Sequence, residues 1–431
     1  MRIGLRHGLI GSLILCSILI PLCSAQSLGP GRSTGVDTSP NNATQERPIG
    51  RKNAVLPHRL PGKPSQPPDI EISVSRLGSP ELGWNGRHTR HMMSLNFLDE
   101  QHLLFTFEMP GLLYRQQNGA EDELDRKIRA FVLVLPSGTV EADSVWNIRV
   151  HSNLYRVESL DNGHFFLNDG NDLMQGDADL DLKPALHFPG PLLSWGSDPT
   201  GGLLTTLSQD PTEVDKNISL SASGKSSLPR QTRLVLRTIN RNTNALLSVV
   251  QLPSISTLSV NVSGYLTAER IKGTIWAIKL NHFTGPIEEL TRVDSSCTPT
   301  ARFISTSTIY METCVGFLPA LSILDLATHK HWDRTTPGEL LCPLLTASRS
   351  GNRFIRETFA GHAWINPSLK CESIDTDGQV ISVYDSKNGK VKLTAPATPA
   401  VVSGGNISIS PSGQRVAIFD AGVIKVFDLS P

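Results

Sequence analysis

Short apolar runs, each about the length of a β-strand, recur along this chain from Ile70 onward and constrain its fold more than any other feature. Glycine, proline, asparagine and serine separate the runs, as in strands joined by turns. The clearest runs lie at residues 103–107, 130–135, 234–239, 273–278, 320–324, 380–384 and 423–427. None has the length of a typical helix, and several are apolar at consecutive positions, as in strands covered on both faces. The pattern predicts an almost entirely β domain over residues 70–431.

The runs repeat loosely at intervals of about 40 to 60 residues, which is the range of propeller blades with loop insertions. We interpret the charged stretch at residues 121–127 (EDELDRK), which offers one plausible helical turn, as a loop insertion between two strands. The predicted blades cover residues 88–148, 149–200, 201–252, 253–293, 294–335, 336–394 and 395–431.

The best single unit is the last one, residues 406–429 (NISISPSGQRVAIFDAGVIKVFDL). Residues 411–414 (PSGQ) predict a tight turn after an inner strand, and residues 421–422 (AG) predict a turn into a third strand. This unit resembles a blade of the WD40-like and related YVTN-type propeller families, which commonly read "SPDG" and then "I.VWD". Phe427 stands where those families often have tryptophan, and their glycine-histidine element is absent. The resemblance implies a propeller fold and no particular subfamily.

The last unit supplies three strands, and a fourth is available near the other end of the chain. Residues 69–76 (DIEISVSR) alternate apolar and polar side chains, as a strand with one buried face does. Pairing this strand with the last unit would close the ring and cover an exposed strand edge. We therefore predict an all-β, seven-bladed β-propeller that is closed by its N-terminal strand.

The first 25 residues have the three zones of a secretory signal peptide. Arg2 and Arg6 give a basic start, residues 8–22 are apolar, and residues 23–25 (CSA) are small, which predicts cleavage before Gln26. The apolar stretch is roughly 15 residues, against the roughly 20 that a membrane-spanning helix needs. An uncleaved membrane anchor is the alternative. We predict a secreted or periplasmic protein, and no later stretch of the mature chain is long and apolar enough to span a membrane.

Residues 26–69 contain no aromatic side chain and are crowded with proline and glycine. Such a segment buries too little apolar surface to offset the entropy lost on ordering. We interpret it as a disordered linker; a tether to the cell envelope is the functional alternative.

Four cysteines remain after the signal peptide: Cys297, Cys314, Cys342 and Cys371. In an oxidising compartment they predict two disulfides, with three possible pairings. We favour Cys297–Cys314 and Cys342–Cys371, because a hairpin turning near residues 305–306 would place the first two opposite each other. A zinc site is the alternative, but the close paired spacing of zinc ligands is missing.

The chain carries 40 basic and 40 acidic residues, so its formal charge is zero. Binding to nucleic acid depends on neutralising phosphates, and this balance therefore argues against such a partner. It also gives no general electrostatic attraction to anionic lipid. We expect a monomer.

The acidic segment around residue 177 is the most site-like feature of the sequence. Asp177, Asp179 and Asp181 alternate along the chain, a spacing that suits the oxygen ligands of calcium. Leu182 stands where a calcium loop has glycine, and Phe188 stands where it has glutamate. The alternative is a solvated hairpin, and no other cofactor is predicted.

Two histidine pairs could bind a transition metal. His88 and His91 are three residues apart, while His329 and His331 are two apart, as on one face of a strand. Neither pair has an identifiable third ligand, and surface histidines are our interpretation. The Gly-Lys-Ser sequence within residues 223–227 lacks the other glycine and the following helix of a phosphate loop, and we interpret it as a polar loop. No catalytic residue is predicted.

Two functions fit an exported propeller. The first is a non-catalytic binding module for a protein, a peptide or a glycan, since propeller loops rather than the fold carry function. The second is a hydrolase or lyase whose site at the channel mouth gathers residues from several blades. Clustered histidine, aspartate and arginine with shifted pKa values would favour the enzyme, and serine, threonine and backbone groups would favour the module. A third hypothesis, an envelope assembly partner of the TolB kind, depends on export and fold alone.

Overall fold

The structure is a computed structural model, and nearly all the regular secondary structure of its described residues is β. It describes residues 63–78, 93–114, 124–150, 156–160, 163–188, 192–198, 200–209, 234–241, 243–252, 259–315, 318–335, 344–360, 378–398, 401 and 405–430. The described strands form seven antiparallel sheets that follow one another along the chain. Each sheet is one blade of a propeller, as predicted.

The first three blades each contain four strands. Blade 1 contains β2 (Met93–Phe97), β3 (His102–Tyr114), β4 (Leu124–Val134) and β5 (Thr139–Val150). Blade 2 contains β6 (Val157–Ser159), β7 (Phe165–Asp169), β8 (Asp172–Gly176) and β9 (Lys183–His187). Blade 3 contains β10 (Leu192–Ser197), β11 (Leu203–Gln209), β12 (Leu234–Asn240) and β13 (Ala245–Leu252). In each blade the first strand lies innermost and the last outermost.

The remaining blades differ at their edges. Blade 4 contains β14 (Gly264–Lys272), β15 (Ile275–His282) and β16 (Ile287–Asp294), with a single bridge between Val260 and Tyr265 on its inner side. Blade 5 contains β17 (Thr300–Phe303), β18 (Thr308–Val315), β19 (Leu318–Asp325) and β20 (His331–Thr335). Blade 6 contains β21 (Leu344–Ala347), β22 (Arg353–Ala360), β23 (Gly378–Asp385) and β24 (Val391–Ala397). Blade 7 contains β25 (Ile407–Ile409), β26 (Arg415–Asp420), β27 (Val423–Asp428) and β1 (Ile70–Ser73).

Strand β1 closes the ring by pairing antiparallel with β27, as the alternating pattern of its residues predicts. Ile70 lies opposite Val426, and Ile72 lies opposite Ile424. A short 3-10 helix (Val74–Leu77) follows β1. Ile72 and Val74 are buried in a hydrophobic cluster that joins blade 7 to blade 1. The first and last described elements therefore share one blade.

A hydrophobic cluster also fills every other interface between neighbouring blades, so seven clusters stabilise the described ring. Strand β26 shows how the sequence produces this packing. Ala417 and Phe419 pack toward blade 1, while Val416 and Ile418 pack toward blade 6. Because successive side chains of a strand point to opposite faces, a strand between two blades needs apolar residues at consecutive positions.

The inner turns of five blades share a side-chain hydrogen bond that the sequence does not display as a motif. In each case an Asp, Asn or Ser side chain at the end of the inner strand accepts a hydrogen bond from a backbone N–H at the start of the next strand. These residues are Asp99, Asp198, Asn261, Ser348 and Ser410. Three residue types perform the same task because each offers a short side-chain acceptor.

Cys297 and Cys314 form a disulfide, as predicted, with their Cα atoms 5.5 Å apart. The bond joins the segment before β17 to strand β18, and the two strands form the expected hairpin. Cys342 and Cys371 lie outside the described residues, as do the predicted signal peptide and most of the predicted linker. The end of that linker contacts blade 6, where the backbone N–H of Ser65 donates to the Thr394 carbonyl at 2.8 Å.

Two expectations about strand placement were wrong. Residues 124–127, interpreted as part of a loop insertion, belong to β4, where Leu124 pairs with Tyr114 at the far end of β3. A cross-strand ion pair between Arg126 of β4 and Glu108 of β3, at 2.6 Å, allows charged residues in this part of the sheet. Strand β10, placed in the second blade from the sequence, is the innermost strand of blade 3. No helix among the described residues has the length and apolarity that crossing a membrane requires.

Candidate functional site: the central channel

A cavity of about 660 Å³ lies at the centre of the ring. The innermost strands of six blades line it, together with Ser259 beside the inner bridge of blade 4. The lining strands are β2, β6, β10, β17, β21 and β25. Because one strand from each of these blades contributes, the cavity is the central channel of the propeller. We refer to it below as the channel.

Hydroxyl groups are the most frequent polar groups of the channel lining. They belong to Ser94, Ser159, Ser194, Ser197, Ser259, Thr346, Ser348 and Ser408. Some of these hydroxyls connect neighbouring blades: Ser408 accepts from the Phe97 backbone N–H at 2.9 Å, and Ser259 accepts from that of Phe303 at 2.8 Å. The hydroxyl of Ser197 is buried and has no hydrogen-bond partner among the described residues.

An ion pair lies where blades 2 and 3 meet the channel. The Arg156 guanidinium donates to Glu158 at 3.0 Å and lies over the Trp195 ring, 5.3 Å from its centroid. The other oxygen of Glu158 accepts from the Ser197 backbone N–H at 2.6 Å. Asp198, which follows the last residue of β10, accepts a hydrogen bond from the Leu203 backbone N–H in the same turn. Protein donors therefore already engage both of these channel carboxylates.

Arg302 and Arg349 also line the channel, and Arg302 lies at the inner strand of blade 5. It lies half-buried on β17, directly opposite Tyr310 of β18. Burial lowers the pKa of the Arg302 guanidinium; the Glu312 carboxylate opposes this effect, and the charge of Arg156 adds to it. Glu312 acts on Arg302 through its charge, and one oxygen of its carboxylate accepts from Arg356 and from the Tyr310 hydroxyl. Arg302 thus presents a partly desolvated positive charge to the channel.

Glu357 of β22 also lines the channel and is 1% exposed. Burial raises the pKa of its carboxyl to about 8, although a hydrogen bond from Gln379 opposes the shift. Gln379 in turn accepts from the Asn406 side chain at 2.7 Å, so a chain of polar groups connects blades 6 and 7. At neutral pH Glu357 holds a proton and adds no charge to the channel.

The structure places the predicted metal candidates away from the channel lining. Asp177, Asp179 and Asp181 lie in the turn between β8 and β9, not along a strand face, and the Asp179 N–H donates to Asp177 at 3.2 Å. Leu180 is buried between them at a φ of 65°, and its carbonyl accepts from the Trp146 indole. The apolar side chains of the turn, Ala178 and Leu180, pack against the cluster between blades 1 and 2, which leaves the carboxylates nearer the surface.

Neither predicted histidine pair forms a metal site among the described residues. His88 and His91 lie outside the described residues. His329 does not share a strand with His331, because it lies in the turn before β20 at a φ of 53°. Within the described ranges, no three His, Cys, Asp or Glu side chains are grouped closely enough to hold a metal ion. The loop at residues 223–227 is also outside the described part of the chain.

Arg302 and Glu357 were not predicted as site residues, although the sequence around Glu357 is unusual for a strand inside a blade. Residues 353–360 (RFIRETFA) form β22, which lies between two other strands of blade 6, yet charged side chains stand at three of its positions. Charged residues inside a strand that is covered on both faces are rarely buried without a paired role. Arg302 left no comparable signal, since one arginine in a hairpin is ordinary.

Comparisons with known proteins assign the chain to no family. No protein-family model matches the chain, and no curated protein sequence matches it significantly. Among solved structures, a chain of the mitotic checkpoint complex is 11% identical, with 93% of this chain and 99% of that chain covered and a TM-score of 0.46. TolB from Acinetobacter baumannii is 12% identical, covering 73% and 78%, with a TM-score of 0.37. Oligogalacturonate lyase from Vibrio parahaemolyticus is 10% identical, covering 78% and 97%, with a TM-score of 0.41.

Proposed function

We propose that this chain is an exported, non-catalytic binding module that accepts its ligand in the channel. The observation that carries the proposal is the cavity itself, whose volume of about 660 Å³ falls in the range of ligand-binding sites. Its lining is rich in serine and threonine hydroxyls, the pattern that favours a module. The signal sequence supports a location in the periplasm or outside the cell, and the ligand is then a protein, a peptide or a glycan of that compartment.

Blocking the channel tests the proposal. Thr346 lies on β21 in the lining, and Thr346→Trp would fill part of the cavity. The matched control is Ser248→Trp on β13, the outermost strand of blade 3, which leaves the channel open. A partner isolated from the envelope or secreted fraction would be purified and titrated calorimetrically against each variant. We expect Thr346→Trp to weaken binding at least about tenfold, or about 1.4 kcal/mol.

Equal binding by wild type and Thr346→Trp would contradict the channel as the site. Loss of binding by Ser248→Trp alone would move the site to the outer surface of blade 3. Mass spectrometry of the exported protein tests the compartment separately, because cleavage by signal peptidase is expected to leave Gln26 as the first residue.

A second candidate function is a hydrolase or lyase, and Glu357 is the observation that favours it. A carboxyl whose pKa is about 8 stays protonated at neutral pH and can donate a proton, as general acids do. An enzyme of this kind would lose most of its kcat in Glu357→Gln, and the wild-type rate would fall above about pH 8 as the acid ionises. A panel of glycosidic and ester substrates, assayed against both proteins, tests this alternative.

A further inference from the structure

We propose that Arg302 anchors a carboxylate of an acidic peptide that enters the channel. This inference rests on the proposed function and specifies its ligand. Arg302 lies on the inner strand of blade 5, where its side chain lines the cavity. Among the described residues, the Arg302 guanidinium donates no hydrogen bond. The nearby carboxylate of Glu312 forms an ion pair with Arg356 at 3.2 Å.

The carboxyl groups of the channel lining are engaged by groups other than Arg302. Glu158 and Asp198 already accept hydrogen bonds from protein groups, and Glu357 is buried where the charged form is disfavoured. Arg156, which pairs with Glu158 on the inner side of blade 2, is close enough to act on Arg302, and Arg349 also lines the channel. A buried charge is costly unless it is paired and hydrogen-bonded, so an incoming anion would be stabilised at Arg302.

The guanidinium favours a carboxylate in particular. Its N–H groups lie in one plane and match the two oxygens of a carboxylate, forming two parallel charge-assisted hydrogen bonds. Arg302 and the neighbouring hydroxyl of Ser259 both line the cavity. This arrangement fits a glutamate or aspartate side chain that reaches inward.

The strand edges around the channel favour a peptide as the carrier of that carboxylate. Each of the six lining strands is the edge strand of its sheet and pairs on one side only. The other edge faces the channel. Some of its N–H groups donate to neighbouring blades, as those of Phe97 and Phe303 do to Ser408 and Ser259. The remaining backbone groups of these edges are of the kind that binds extended peptides. Trp195, an aromatic side chain of the lining, is 5% exposed and covered by Arg156, so it offers little ring face to a sugar.

Two pools of synthetic hexapeptides test the inference. Each peptide of the first pool carries one glutamate among randomised neutral residues, and the second pool has glutamine in its place. The pools are passed over immobilised full-length mature protein, and retained peptides are measured by mass spectrometry. We expect wild type to retain the glutamate pool about tenfold over the glutamine pool, and this preference to disappear in Arg302→Gln. Arg292→Gln, which removes an exposed arginine from outermost strand β16, is the matched control and should keep the preference.

Other outcomes separate this inference from the proposed function. If wild type retains both pools equally and Thr346→Trp retains neither, the channel binds peptides but Arg302 is not a carboxylate anchor. If Thr346→Trp retains the glutamate pool as wild type does, the channel itself is not the site. Competition by galacturonate oligomers or by inorganic phosphate as strong as that by glutamate peptides would overturn the choice of a peptide. If Arg302→Gln does not fold, Arg302→Lys replaces it and should lose most of the preference, because an ammonium lacks the planar fork.

Discussion

Replacing Glu357 with glutamine removes an ionisable group from the wall of the channel while keeping the shape of its side chain. In the folded protein burial raises the pKa of Glu357 from 4.5 to about 8. Between these two pH values the folded state holds a proton that the unfolded chain releases. The contribution of Glu357 to stability is therefore fully present below about pH 4.5 and is lost as the pH rises to about 8.

The expected size of this effect follows from the two pKa values. One pH unit corresponds to 1.36 kcal/mol, so about 3.5 units between 4.5 and about 8 correspond to at most about 5 kcal/mol of unfolding free energy. Glu357→Gln has no proton to release, and its amide can still hydrogen-bond to Gln379. We expect wild type and variant to have similar stability at pH 4.5, within about 1 kcal/mol, and the variant to be the more stable protein at pH 8.

Urea denaturation, followed by tryptophan fluorescence between pH 4.5 and 9, measures this difference. Other carboxylates and histidines titrate in the same range, but they are common to both proteins and cancel in the comparison. Glu71→Gln, which changes an exposed glutamate of β1, is the control and should follow wild type throughout. Parallel stability curves for wild type and Glu357→Gln would refute the argument that burial keeps this carboxyl protonated.

Three further predictions concern the frame that holds the channel. Deleting residues 70–77 removes the strand that closes blade 7 and two buried side chains, and should lower the unfolding free energy by about 5 kcal/mol; an unchanged melting temperature would count against ring closure. Cys297→Ser opens a loop with a sequence separation of 17 and should cost about 3 kcal/mol, with no further loss when reductant is added. Arg353→Met removes hydrogen bonds to backbone carbonyls near the C-terminus and should cost about 3 kcal/mol in chemical denaturation, whereas Arg353→Lys should lose less.

Much of the frame could be predicted because each blade repeats a local pattern. The consecutive apolar residues of β26 indicate a strand covered on both faces, and its two neighbouring blades provide that cover. The alternation over residues 69–76 indicated a strand with one buried face. Residues 70–73 form that strand and pair with β27, whereas residues 74–77 form a 3-10 helix. The same hairpin logic placed Cys297 opposite Cys314. These predictions succeed because strand formation and turn chemistry depend on residues close together in the sequence.

The assignment of strands to blades failed where local patterns carry no information. Strand β10 follows β9 after a short connection, and its sequence does not say whether it continues blade 2 or begins blade 3. The pairing of β10 with β11 decides the matter. The interpretation of residues 177–181 was wrong for a related reason. The alternation of acidic residues suggests a strand, but Leu180 is buried against Trp146 and the segment forms a turn.

The amino-acid sequence by itself determined the strands, most of their turns, the closing strand and one disulfide, because each depends on patterns within a hairpin or on alternation along a strand. Only the tertiary structure decided the channel and its chemistry. Arg156, Arg302 and Glu357 come from blades 2, 5 and 6, and nothing in their local sequence requires them to face one cavity. The pKa values of Arg302 and Glu357 depend on burial and on neighbouring side chains, which are brought together only once the ring has closed.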